Sequence, residues 1–485
     1  MMANREHWGS KFGFVLAASG SAIGLGNIWK FPYITGENGG AAFIFVYLIC
    51  IAIVGLPVVV AEILMGRTTQ RNPVGAFRKL SGSKFWTTIG GSGVVAGFII
   101  LSFYTVIAGW SMGYMIEALQ GNFSQLTTAA QANAHFNSLV GDPTWMIGFY
   151  TIFFVFTMAV VFLGVKDGIE KGSKIMMPIL FIILIILMIK GITLKGSGAG
   201  LTFLLKPDWS KITGQSVLIA LGHAFFTLSL GMGALMTYGS YLNKKTNIPN
   251  AAVQIVFLDT LIALMAGVAI FTAVFATGQD PSMGPGLIFN TLTVVFGSMT
   301  GGYYFGLLFF VLLTVAALTS SISLLEVAVA YFVDERKWSR QKSVLLIGSS
   351  IFIFGLPSAL SFNLMANVTF NGMTFFDIAD FVASNVLLPV GGFFIAIFVA
   401  WVWGFDKALI ELKHGAENIF KDRIWLVTTF KVFLKFIAPV MIFIVFLHSV
   451  GLLESAIEQL KNYWIIIVLG VVILAIMISR NRKKK

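Results

Sequence analysis

Twelve stretches of this chain are predominantly apolar over close to the ~20 residues that a helix needs to cross the hydrocarbon core of a bilayer. They lie at about 12–37, 41–66, 88–119, 145–164, 173–193, 214–241, 250–277, 301–333, 342–361, 375–403, 426–452 and 463–479. Hydrophobic residues make up 57% of the 485 and charged residues 11%, against roughly 45–50% apolar in soluble domains. With no water in the bilayer core, each backbone N–H and C=O must be satisfied within its own segment, so helices of this length are the expected element. The expected fold is an all-α polytopic membrane protein of 12 transmembrane helices, several long enough to tilt or kink.

Charge sets the orientation. Arg5 and Lys11 precede the first span, Arg67, Arg71, Arg78, Lys79 and Lys84 follow the second, and Lys244, Lys245, Arg336, Lys337, Arg340, Lys342 and Arg480 to Lys485 fall on the same side. The excess of Lys and Arg predicts that both termini are cytoplasmic, although Lys190, Lys195, Lys206 and Lys211 sit opposite. This bias toward the lipid surface accounts for the net charge of +12 and argues against nucleic acid as a partner. Cys50 is the only cysteine, so neither an intramolecular disulfide nor a thiolate metal cluster is available. Glu6, His7 and Trp8 lead straight into a full-length apolar run, which is not the pattern of a cleaved signal peptide, and span one is expected to stay in the mature protein.

Two of the spans are interrupted. Gly20-Ser-Ala-Ile-Gly24-Leu-Gly26-Asn27 breaks span one, and Thr227-Leu-Ser229-Leu-Gly231-Met-Gly233 breaks span six. A Gly-x-x-x-Gly pattern alone also serves close helix packing. Here it recurs five spans later, is flanked by hydroxyls, and is followed by Asn27, Trp29, Lys30 and Pro32. Paired interruptions in successive halves point to an inverted-repeat transporter with a midplane site. A phosphate-binding loop is excluded, because no strand precedes the glycines and no Lys-Ser/Thr pair follows them.

The polar groups near the breaks suit alkali cations and zwitterions. Unwound glycine-rich backbone offers carbonyls, and Thr319, Ser320 and Ser321 place three adjacent hydroxyls in the otherwise apolar span eight, although such hydroxyls also bond back to the i−4 carbonyl. Half-helix N-termini attract anions and C-termini attract cations, so an amino acid carrying both charges fits between two broken helices. Ionisable residues within spans are functional candidates. Glu62, deep in span two, is expected to bond the unwound N–H groups of spans one and six, and Asp259 in span seven is expected at an ion site. Glu326 carries no functional assignment. His223 is expected to be a hydrogen-bonded core histidine, with no second histidine at metal spacing. Gly168 and Pro178 are a pair able to loosen the start of span five, residues 120 to 143 form a long polar loop, and 281 to 300 read as a hairpin of short helices over a vestibule.

Together these residues resemble the neurotransmitter:sodium symporter family, in particular its bacterial amino-acid branch. The resemblance rests on Arg5 to Trp8, Gly24 to Pro32, Glu37 to Gly40, Phe225 to Gly231 and Leu318 to Ser321, and extends from residue 5 to about 450. It implies two inverted five-helix repeats, spans 1–5 (12–193) and 6–10 (214–403), with helices 1 and 6 broken. An N-terminal gate segment (1–11), a loop (194–213), and two peripheral spans with a basic tail (404–485) complete the chain. It implies sodium ions at two sites, no organic cofactor, and import of a hydrophobic L-amino acid across a bacterial plasma membrane by alternating access. The first sodium would take Ala22, Asn27, Thr227 and Asp259, and the second Gly20, Ile23, Ala316, Thr319 and Ser320. Substrate would meet Ala22, Gly24, Gly26, Ile100, Tyr104, Phe226, Thr227, Ser229, Met232, Ser320 and Leu324. Gly24 stands where monoamine carriers look to have aspartate, which indicates a substrate with its own carboxylate. The outer gate would be Lys30 with Asp380, and the inner gate Arg5 with Asp334 under Trp8 and Tyr241.

Three departures from the family pattern sharpen this. Lys30 replaces an arginine, exchanging a bidentate fork for a point charge, so a looser outer gate is expected. Asp259 stands where a neutral residue is usual, with Ala263 one turn on, so a protein carboxylate replaces chloride and is expected to take a proton in the return step. Met232 replaces a phenylalanine, and its unbranched chain repacks around bulky apolar groups. A membrane enzyme is disfavoured, since no HExxH motif, Ser-His pairing or Cys/His cluster is present. A carrier of an osmolyte or imino acid, or a transport-inactive sensor of the same fold, are the alternatives.

Overall fold

The computed structural model describes residues 6–281, 286–421 and 423–455. Among these residues secondary structure is helical apart from one isolated bridge, Phe370 to Met373. Among the described residues nine helices are long and apolar enough to cross a membrane, from Ala41–Thr69 to Ile424–Ser449, and the bent pair Lys11–Ala22 and Gly26–Glu37 makes a tenth span. Span six, Gly214–Thr227 with Ala234–Gly239, is the eleventh. The last expected span, 463–479, lies outside the described residues.

Span one turns by 49° between its halves. Its first helix is capped by Ser10, whose hydroxyl accepts from Gly13 N–H at 2.9 Å, and it ends at Ala22, where Ile23 is extended. In span six the helix stops at Thr227, and Ser229 (φ +54°), Gly231 (φ +85°) and Gly233 (φ +76°) take left-handed backbone before it resumes at Ala234. A Cβ at Gly231 would meet the Leu388 carbonyl, so both conformation and close approach demand glycine there.

Prolines shape four other turns. The π-helical turns Gly26–Lys30, Ile51–Gly55, Phe381–Leu387 and Phe433–Ile437 end two residues before Pro32, Pro57, Pro389 and Pro439. Proline has no N–H to give and its ring clashes with the i−4 carbonyl. A wider turn just ahead of it relieves that clash while keeping the neighbouring carbonyls bonded within the helix.

Several boundaries differ from the hydropathy reading. Span five begins at Val165, not 173, because the charged turn Val165–Glu170 continues directly into Lys171–Thr193. The i,i+4 pairs Asp167–Lys171 and Glu170–Lys174, both at 2.7 Å, hold that turn. The start of span five is therefore wound rather than loosened, with Pro178 inside the helix. Span three begins at Lys84 and span eight runs to Arg336. The expected loops carry helices of their own, Ala129–Gly141 with a Thr128/Gln131 capping box and Ser197–Leu205. In place of a hairpin over 281–300, the described residues contain one helical segment, Leu287–Ser298. Its Phe289 packs edge-on against Trp110 and Tyr114.

The core is built around spans three and eight, which pack along one another, with span one against spans five, seven and eight. Span two lies against the second half of span six, where a Cβ at Gly66 would fall on the Met236 carbonyl and one at Gly239 on the Ile63 carbonyl at 2.7 Å. Overpacking of this kind costs about 1–3 kcal/mol. Gly66→Ala is expected to lower the melting temperature of the detergent-solubilised protein, whereas Gly91→Ala, with open space around its Cβ, leaves it unchanged.

Candidate functional site

The two breaks meet. On one side of the span-one break, Thr319 Oγ1 donates to Ala316 O at 2.9 Å and lies 3.3 Å from Ile23 O. Ser320 Oγ lies 3.1 Å from Ser21 O and 3.4 Å from Gly20 O and Ile23 O. All five residues of the second expected cation set, Gly20, Ile23, Ala316, Thr319 and Ser320, are thus brought together. The oxygens are carbonyls and hydroxyls, with no fixed charge among them.

On the other side, Asn27 Nδ2 donates to Asp259 Oδ1 at 2.8 Å and to Asp259 O at 3.0 Å, and Thr227 Oγ1 donates to Asp259 Oδ1 at 3.0 Å. Asn27 Oδ1 accepts from Gly24 N–H at 3.1 Å. Asp259 is fully buried and its Oδ2 has no hydrogen-bond partner. Ala22 ends the helix at the same break, and of the first set Asn27, Thr227 and Asp259 are in direct contact.

Between the two sets is a cavity of about 30 Å³, lined by Ala22, Gly24, Gly26, Ile100, Tyr104, Phe226, Thr227, Ser229, Met232, Ser320 and Leu324, which are all eleven residues expected to meet substrate. Ser21 and Leu25 also line it and were missed. Ser21 O accepts from Ser229 Oγ at 2.9 Å as well as from Ser320, so it joins spans one, six and eight. Leu25 N–H reaches Tyr104 Oη at 3.3 Å. Their side chains gave no sign of this because their contribution is backbone. A Cβ at Gly24 would fall on Ser320 Oγ and within 2.8 Å of Tyr104 Oη.

Glu62 supports the second break. Its Oε1 accepts from Gly231 N–H at 2.8 Å, and it is fully buried. The expected bond to span one is not formed, because the carboxylate reaches across to the left-handed turn of span six alone. His223 is buried as expected but not hydrogen-bonded: neither ring nitrogen has a partner, and the ring sits against Phe31 and Tyr47.

The two ends of the path differ. Toward the end of the bundle away from the N-terminus, Lys30 and Phe226 border a larger cavity of about 370 Å³ between spans one, six, ten and eleven. Lys30 Nζ lies 4.5 Å from the centre of the Phe226 ring, while Asp380 accepts from Ser384 Oγ at 2.7 Å. No ion pair joins Lys30 to Asp380 among the described residues. At the opposite end, Trp8 Nε1 donates to Tyr238 O at 2.9 Å and its backbone N–H to Tyr241 O at 3.3 Å. Tyr241 Oη donates to Glu326 Oε1 at 2.6 Å, and Glu326 pairs with Arg340 at 2.8 and 2.9 Å. Asp334 accepts from Asn72 N–H and Nδ2 at 2.8 and 3.1 Å, and Arg5 lies outside the described residues. Tyr238, Arg340 and Glu6, which pairs with Arg340 at 3.2 Å, were not anticipated.

A pocket between two broken helices, inside a bundle of membrane-length helices, defines a multi-pass membrane transporter. Residues 5–138 and 130–480 match the Sodium:neurotransmitter symporter family. An uncharacterized sodium-dependent transporter, YhdH, of Bacillus subtilis is 42% identical over 447 residues, covering 92% of this chain and 98% of its own. Another from Methanocaldococcus jannaschii is 32% identical over 497 residues, covering 98% of this chain and 96% of its own. The crystal structure of MhsT in complex with L-phenylalanine superposes with a TM-score of 0.84 at 47% identity, covering 92% of this chain and 100% of that one. The chain belongs to the sodium:neurotransmitter symporter family and is a sodium-dependent transporter, not an enzyme. Gly24→Ala is expected to weaken substrate binding by about tenfold or more and to lower the melting temperature, because its Cβ would fall on Ser320 Oγ and crowd Tyr104 Oη in the lining, overpacking that costs ~1–3 kcal/mol. Unaltered affinity in a binding assay would remove the assignment of this cavity.

Proposed function

We propose that this protein imports a hydrophobic L-amino acid, aliphatic or aromatic, coupled to inward sodium movement and independent of chloride, with both termini cytoplasmic in a bacterial plasma membrane. The observation that carries the reading is the junction itself: one interruption of span one serves an uncharged all-oxygen cluster on one side and a pocket on the other. Hard neutral oxygens replace the hydration of a monovalent cation without the charge density that would favour a divalent one. A cation on the second set would draw on Gly20, Ile23 and Ala316 carbonyls with Thr319 and Ser320 hydroxyls. One on the first set would satisfy Asp259 Oδ2, a buried oxygen otherwise left without a partner. Both cations stabilise the arrangement in which span one is bent against spans seven and eight, and so favour the state that holds substrate.

Selectivity follows from the lining. Gly24 leaves space and no competing acid where the substrate carboxylate would sit, facing Leu25 N–H and Tyr104 Oη. Ile100, Phe226, Met232 and Leu324 are apolar. The free volume is small, about 30 Å³. A bulky side chain therefore enters by displacing Met232 and Phe226, and Met232 is the flexible member of that pair. MhsT, the relative solved with L-phenylalanine, accommodates such a side chain.

Asp259 supplies the negative charge that would otherwise come from chloride. Uptake into proteoliposomes is expected with an inward sodium gradient and not with potassium, at equal rates with chloride or gluconate. Asp259→Asn should be slower and respond to chloride. The same chloride response in both proteins would refute the assignment. In competition assays on purified protein, leucine, phenylalanine, tyrosine and tryptophan are expected to displace bound substrate. Displacement by glycine or alanine alone would overturn the hydrophobic class.

A further inference from the structure

The end of the bundle away from the N-terminus carries cations that transport does not use. Between residues 190 and 213 stand Lys190, Lys195, Lys206 and Lys211 against the single acid Asp208, on the side that the charge bias of membrane proteins leaves poor in lysine. Large apolar groups lie beside two of them. Leu205 is 75% exposed and Trp209 53%, and Phe45 of span two, which meets the Trp209 ring edge-on at 5.5 Å, is 54% exposed. Lys206 and Lys211 flank Trp209 and are exposed as well. Asp208 is engaged in its own turn, accepting from Ser210 Oγ at 2.6 Å and from Ser210 N–H at 3.1 Å.

The segment is held from beneath. Helix Ser197–Leu205 packs along span seven, where a Cβ at Gly200 would stand 2.5 Å from the Phe271 carbonyl and Phe203 rests on Phe271 and Phe275. A Cβ at Gly39 would fall on Lys211, so the same segment lies over the turn that joins spans one and two. Leu205 and Trp209 thus keep their apolar surface outward, at the ends of membrane-length helices. That is the level at which tryptophan rings sit among headgroups, and a lysine beside them carries its ammonium to the phosphates. We propose that residues 205–211 and Phe45 form a docking site for an anionic phospholipid, with Lys206 and Lys211 on its headgroup phosphate and Leu205, Trp209 and Phe45 against its acyl chain. Assignment of this lipid to the outer leaflet rests on the orientation proposed above. A zwitterionic lipid brings its own ammonium, which offsets the phosphate and repels the lysines. A soluble phosphate ester has no chain to cover the apolar groups.

Trp209 reports the contact. In nanodiscs its emission is the difference between wild type and Trp209→Phe, and bromine on an acyl chain quenches an indole that it touches. Association constants from quenching by brominated phosphatidylglycerol and by brominated phosphatidylcholine, compared at equal mole fraction and low salt, are expected to favour the anionic lipid about tenfold. Lys206→Gln and Lys211→Gln should each lower that preference about threefold, and the double variant should show none. Salt at about 1 M, where charges are screened within about 3 Å, should abolish the preference in wild type. Quenching by brominated phosphatidylcholine should persist in the double variant, since the apolar groups still face the bilayer. Absence of quenching by either lipid, equal quenching by both in wild type, or a preference kept in the double variant would overturn the site. Displacement of the brominated anionic lipid by millimolar glycerophosphoglycerol would overturn it too, in favour of a soluble phosphate ester. Reaction of Ser210→Cys with a membrane-impermeant maleimide from the cytoplasmic side alone would instead count against the orientation, and the quenching comparison would still decide the lipid.

Discussion

A peptide group without a hydrogen-bond partner is costly in hydrocarbon, and the site depends on where those groups are left. In hydrocarbon every N–H and C=O must be bonded within its helix. Spans one and six break that rule at Ile23 to Leu25 and Leu228 to Gly233, in the one region where other groups meet them. Thr319 and Ser320 reach the carbonyls of span one, Glu62 takes the Gly231 N–H, and Asn27 bonds back to Gly24. The partners come from spans eight and two and from span one itself. The break is stable only as a junction of spans one, two, six and eight, so binding anything there acts on the arrangement of all of them.

Chemistry divides cleanly about that junction. Toward span eight the groups are carbonyls and hydroxyls, suited to a cation that must enter and leave. Toward span seven a buried carboxylate, Asp259, bonds Asn27 and Thr227 through one oxygen and keeps the other unpartnered. The pocket lies between, so a zwitterion there is within reach of the first cation set and shares Ser320 with the second. With cation and substrate bound as proposed, coupling needs no remote relay, because both would sit at the break of span one.

The two ends of the path are built from different interactions. Around the N-terminus, Tyr241, Glu326, Arg340, Glu6 and Glu170 make charge-assisted bonds, many of them buried, and Trp8 donates to the Tyr238 and Tyr241 carbonyls. At the far end Lys30 rests on the face of Phe226, a weaker contact. The asymmetry suits a molecule closed on its N-terminal side, with its larger cavity on the other.

Much of this was legible in the residues, for a physical reason. Hydrocarbon leaves so few solutions that apolar length located eleven spans to within a few residues at most ends, and glycine clusters located both breaks. The side chains that line the pocket were readable because the pattern around Gly24, Phe226 and Thr319 is specific. What the sequence left undetermined is what depends on backbone meeting backbone or on charges hidden within helices. Ser21 and Leu25 contribute through peptide groups, which every residue has. Span five starts eight residues earlier than apolarity suggested because Asp167, Glu170, Lys171 and Lys174 pair among themselves, and a hydropathy reading counts those charges against a helix. His223 could be read as buried but not as unbonded, since only the packed neighbours Phe31 and Tyr47 decide that no partner is within reach. Glu62 could be read as buried and functional, yet which broken helix it serves was settled by distance alone. Composition and spacing thus determined the fold class and the breaks, the family resemblance supplied the residues at the site, and tertiary structure decided which of those groups touch.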